Sequence, residues 1–188
     1  SKFTTLPKYE QDRIINLLLT KEAVGLYYAD TIVSIIGQYL DDKTFLNIAY
    51  NFIKNGRASS MKSHSTYEIF SKAYSIDSSG VKSAMLNSKF SSLNRYILLC
   101  GDLTVEEELI GLRALSLSKH IPDEIHKLKY KPTLMALKKL PPIMRLKTIE
   151  ALTNNRRLHY NIFKDIPEDE FRALLFTSSL KHTDRVQT

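Results

Sequence analysis

The chain has 188 residues, 43% of them hydrophobic and 25% charged, with a formal net charge of +7. That balance suits a folded domain with a substantial core and excludes an intrinsically disordered chain. The single cysteine, Cys100, excludes an intrachain disulfide and a cysteine-rich zinc site, and fits a reducing compartment.

Pro7 stands at the start of a helix reaching about Thr20, with Ile14, Ile15, Leu17, Leu18 and Leu19 expected inside. The clearest periodicity follows. Val24, Tyr28, Ile32, Ile35, Ile36 and Tyr39 recur three and four apart, which predicts a helix of about twenty residues with these on its core face. Residues as apolar as Leu26 and Val33 lie outside that stripe, so homo-oligomerisation through helices 7 to 40 is expected. Asp41 or Asp42 caps a third helix that buries Phe45, Ile48, Ala49 and Phe52 and stops at Gly56. Residues 56 to 66 lack an apolar period and read as a surface loop, with Arg57 and Lys62 as candidate phosphate contacts. A short helix from Thr66 buries Ile69, Phe70 and Ala73. Asp77-Ser78-Ser79-Gly80 reads as a break, and two helices, Val81 to Phe90 and Ser92 to Cys100, precede Gly101.

Thr104-Val105-Glu106-Glu107 has the spacing of a capping box, opening a helix through Leu109, Leu112 and Leu115 toward His120. Glu106, Glu107 and Glu108 fan over about 200° of a helix and so do not converge on one metal ion. From here prolines set the rhythm. Pro122, Pro132, Pro141, Pro142 and Pro167 favour first turns and interrupt longer helices, predicting short helices over 122–130, 132–140, 142–153, 155–164 and 167–180, then a frayed tail over 181–188.

The charge is concentrated. Lys127, Lys129, Lys131, Lys138, Lys139, Arg145, Lys147, Arg156, Arg157 and Lys164 face one acid, Glu150, within a segment carrying more positive charge than the whole chain. If the short helices lie side by side, their cations merge into a surface that releases counterions on binding a polyanion, with little sequence preference. On helix 132–140, Leu134, Leu137 and Leu140 face inward and Lys138 and Lys139 face solvent. On helix 142–153, Ile143, Leu146, Ile149 and Leu152 face inward, flanked by Arg145 and Lys147. Residues 131–141, followed by Lys147-Thr148-Ile149, resemble the helix-proline-helix segment in the RNA-binding core of pneumovirus transcription antiterminators. The likeness covers fewer than 20 residues, implies RNA contact for Lys138, Lys139 and Lys147, and lacks that family's Cys-Cys-Cys-His zinc finger.

Two catalytic alternatives are weaker. Arg113 and His120 show an Arg-x6-His spacing similar to that of HEPN-type helical nucleases, where an arginine holds phosphate and a histidine takes a ribose proton, but Ala114 replaces the polar residue that usually follows the arginine. His120, Asp123, Glu124 and His126 are suitable metal ligands without a recognised spacing. No phosphate loop, nucleophile elbow or dinucleotide fingerprint occurs.

These features predict an all-α fold of about ten short to medium helices. The expected organisation is one domain over 1–188, divisible into an apolar half, 1–100, and a basic half, 101–180. The expected function is non-enzymatic binding of RNA, or less readily DNA, without cofactor, metal or catalytic residue. The alternative is a protein-interaction or oligomeric scaffold module whose basic face meets an acidic partner. No apolar run approaches the roughly 18 to 20 residues of a membrane span, and no signal peptide stands at the N-terminus, so the expected location is intracellular, cytoplasmic or nuclear.

Overall fold

Asp41 begins the helix on which the first half of the chain is built. The Thr44 N–H donates to its carboxylate at 2.8 Å, so a free first-turn amide is satisfied and the Asp41 carboxyl is held below its ordinary value. The helix this opens buries Phe45, Ile48, Ala49, Phe52 and Ile53.

The structure, a computed structural model, describes residues 2–56, 63–89, 91–117, 130–153 and 163–183. Among these the fold is all-α, with nine α-helices, short 3-10 segments and no strand. The helices are α1 (Lys8–Leu18), α2 (Ala29–Ile36), α3 (Asp42–Asn55), α4 (Ser63–Ile76), α5 (Ser78–Leu86), α6 (Val105–Ser116), α7 (Leu134–Lys139), α8 (Pro142–Thr153) and α9 (Glu168–Thr183). The chain divides into two compact units, Ser1–Tyr96 and Ile97–Thr188.

In the first unit α4 lies against α2, α3 and α5. Its core contains Phe45, Phe52, Phe70, Ile48, Ile53, Ile69 and Met85. Lys72 on α4 donates to the Gly37 carbonyl at 2.7 Å and sits 4.4 Å from the centre of the Phe45 ring. A cation there satisfies a carbonyl just past the end of α2 while its stem packs on an aromatic face. Asp77 does not end α4 in a turn. It caps α5 directly, accepting from the Gly80 N–H at 3.1 Å and from the Tyr50 hydroxyl at 2.7 Å. The Tyr50 hydroxyl is accordingly pushed up to about 12, first by burial and then by Asp77, while the Asp77 carboxyl is lowered. Gly80 is required by this contact, because a Cβ would overlap both the Asp77 carboxylate and the Tyr50 oxygen.

The predicted helix from Val24 to Tyr39 is three pieces instead. A 3-10 turn, Glu22–Gly25, ends in extended backbone at Leu26, then α2 runs from Ala29, and a second 3-10 turn covers Gly37–Tyr39. Re-phasing after Gly25 turns Ala29, Asp30, Val33 and Ile36 inward and leaves Tyr28, Ile32, Ile35 and Tyr39 exposed. In α1 only Leu18 is fully buried, and Leu17 and Leu19 are exposed.

In the second unit α8 lies against α6 and α9, and α6 against α7. Leu98, Leu109, Leu112, Leu115, Ala136, Leu137, Leu140, Ala151, Leu152, Ile166 and Leu174 make one core cluster. Thr104 and Glu107 form the expected capping box, each side chain bonded to the other's backbone N–H at 3.2 Å. Residues 91–99 form a 3-10 segment in place of the expected α-helix.

Candidate functional site

The cations of the basic segment meet different fates. Lys127, Lys129, Arg156 and Arg157, with Arg57 and Lys62 of the loop, lie outside the described residues. Lys131, Lys138, Lys139, Lys147 and Lys164 are exposed, whereas Arg145 is buried.

Arg145 is a structural hub. Its Nε donates to the Leu137 carbonyl at 2.8 Å, and one terminal nitrogen reaches the Lys138 and Leu140 carbonyls, each at 3.0 Å. The other terminal nitrogen donates to Ser178 at 3.3 Å and Thr177 at 3.4 Å on α9. The planar five-donor fork thus closes the last carbonyls of α7 and joins α7 to α9. Burial pulls the guanidinium below its ordinary value. With its donors committed inside, Arg145 does not belong to the exposed cation set. The buried residues of α8 are Arg145, Thr148, Ile149, Ala151 and Leu152: Ile149 and Leu152 face inward as expected, whereas Leu146 is half-buried and Ile143 is exposed.

Three of the exposed lysines are matched by carboxylates that the linear sequence keeps distant. Lys131 lies 3.1 Å from Asp165, Lys138 3.4 Å from Glu170 and Lys139 3.2 Å from Glu106. These acids stand just before or within the first turns of α9 and α6, where negative charge also complements the helix dipole. Adjacent Lys138 and Lys139 are therefore drawn to different helices. Each pair is solvent-exposed and contributes about 0–1 kcal/mol to stability. The larger consequence is that the local field is much less positive than the segment's composition implies. Lys147 and Lys164 carry no ion pair among the described residues.

A buried carboxylate gives the second unit its other polar anchor. Glu108 is 3% exposed and accepts from the Tyr130 hydroxyl, from the Thr133 N–H at 2.8 Å and from the Thr133 hydroxyl at 2.8 Å. Burial, and then its bond to Glu108, raise the Tyr130 hydroxyl above its ordinary value. Thr133 in turn caps α7, its hydroxyl accepting from the Ala136 N–H. Glu108 thus stands in the first turn of α6 with its carboxylate turned inward to hold Tyr130 and Thr133. No cluster of three or more metal-ligating side chains occurs among the described residues. Arg113 is exposed on α6, while His120, Asp123, Glu124 and His126 lie outside the described residues.

The first unit presents a different surface. Tyr28, Ile32, Ile35 and Tyr39 are 54%, 42%, 52% and 41% exposed, and Leu26 and Tyr27 are 52% and 67% exposed. At spacings of four, three and four, the first set occupies one side of α2 and its 3-10 extension. Other sides of this element meet α4, where the Ser34 hydroxyl donates to Glu68 and the Gly37 backbone carbonyl accepts from Lys72. Tyr27 and Tyr28 meet edge to face with ring centres 4.5 Å apart, which widens the apolar surface at its start.

Compared with family models, curated proteins and solved structures, the chain matches none. No helix among the described residues is long and apolar enough to cross a membrane.

Proposed function

We propose that this chain is a non-enzymatic interaction module that engages a protein partner through the exposed Tyr28, Ile32, Ile35 and Tyr39 side of α2. The observation that carries this reading is six large apolar side chains exposed along one short stretch whose other faces are packed. Scattered exposed apolar groups are ordinary, but a contiguous aromatic and aliphatic set on a regular element is what partner surfaces display. A photo-crosslinking amino acid at position 32, in the cell that makes the protein, is expected to give discrete protein adducts absent when the same group stands at exposed Lys43. Equal, diffuse labelling at both positions overturns the reading.

A second reading, binding of RNA or less readily DNA through the second unit, is supported by exposed Lys147 and Lys164 and by the cations of the 127–164 segment. Replacing both lysines by glutamate is expected to weaken RNA binding uniformly across sequences and to reduce the slope of log affinity against log salt by about 2. No binding by the unaltered protein at low salt ends this reading.

A further inference from the structure

We infer that the partner of the exposed α2 surface is a second copy of this chain, joined through a two-fold axis across the middle of α2. The inference rests on the reading of that surface as a partner site and names its occupant. Its ground is the order of the side chains. Read forward, the exposed stripe is Tyr28, Ile32, Ile35, Tyr39, with gaps of four, three and four; read backward, it has the same residue types and gaps. A two-fold axis perpendicular to a helix reverses its direction. Applied between positions 33 and 34, it sets Tyr28 opposite Tyr39 of the partner subunit and Ile32 opposite Ile35 of the partner subunit. An isologous interface requires such self-complementarity, since each surface must serve as its own receptor.

The area is also sufficient. From their fractional exposures, Leu26, Tyr27 and the four stripe residues present about 600 Å² together. Complete burial of these six residues in both copies would remove about 1,200 Å² from water, at the lower edge of stable, specific interfaces. In this register the interface is apolar at its centre, where the isoleucines meet, and is closed at each end by a tyrosine pair, whose rings are apolar and whose hydroxyls are polar. No charged side chain interrupts the stripe, so antiparallel pairing desolvates no ion along it. Buried Asp30 lies off the stripe, on the inward side of α2.

Sedimentation equilibrium on the full chain tests the inference directly. A monomer–dimer equilibrium is expected, and Ile32→Asp should weaken it at least about tenfold. That side chain is exposed, so the variant keeps its helical circular dichroism. The register is read separately by mixing chains that each carry one introduced cysteine. Ile32→Cys mixed with Ile35→Cys should give a disulfide-linked dimer faster than either variant alone. A chain that stays monomeric to about 100 µM, or an Ile32→Cys variant that crosslinks faster with itself than in the mixture, overturns the inference. If position 32 still crosslinks in the cell, but only to a different protein, the self-association proposal falls while the interaction reading stands.

Discussion

Replacing Arg145 by alanine is expected to cost the second unit about 3–5 kcal/mol. The Leu137 and Leu140 carbonyls would lose a charged donor at a buried position and the Lys138 carbonyl at a partly buried one, and Ser178 and Thr177 would lose their link to α7. Urea denaturation followed by circular dichroism measures this as a lower midpoint for the second unit. Arg145→Lys distinguishes geometry from charge. Its ammonium keeps the charge but, as a compact group with three donors, does not reproduce the fork, so a loss of at least half the alanine effect is expected. Full rescue by lysine would show that the positive charge alone matters. A surface role in binding polyanions predicts the reverse pattern, with stability unchanged and affinity reduced.

Glu108→Ala is expected to follow at about 2–4 kcal/mol. Three donors converge on this carboxylate: the Tyr130 hydroxyl, the Thr133 hydroxyl and the Thr133 N–H. Removing their acceptor leaves the Tyr130 hydroxyl without its partner beside the core of Leu109, Leu112 and Leu137, and unties Thr133 from α6. Glu108→Gln retains one acceptor oxygen but turns an amide donor toward other donors, and should recover no more than about half. Tyr130→Phe removes one donor and leaves the carboxylate two, so about 1 kcal/mol is expected. Thermal unfolding of the three variants orders them Ala, Gln, Phe from most to least affected. Equal stability of Glu108→Ala and the unaltered chain would exclude the clamp.

Much of the fold is legible in residue order because its signals are local. A carboxylate before Thr44, the Thr104-to-Glu107 spacing and the Pro142 start each depend on contacts within one turn, and the structure places helices at all three. The phase of the second helix is not local in the same way. Periodicity reports that Tyr28, Ile32, Ile35 and Tyr39 share a side, but not whether that side meets the core or solvent; the break at Gly25 and Leu26 decides it. Likewise the charge of the basic segment is plain in the sequence, while Asp165, Glu170 and Glu106 reach its lysines only through tertiary packing. Two polar anchors carry a readable signal. Glu108 is in phase with Leu112 and Leu115, and Arg145 with Ile149 and Leu152, and a charged residue in phase with an apolar stripe marks a buried, bonded group.

Helix α7 shows what these anchors do together. It has six residues, far below the roughly 12 to 15 that an isolated helix needs to persist in water. Its first turn depends on Thr133, which Glu108 of α6 holds, and its last carbonyls depend on Arg145 of α8. Neither end is secured by its own sequence alone. The persistence of α7 therefore depends on α6 and α8 staying docked, and in native-state hydrogen exchange its amides should be no better protected than those of either neighbour.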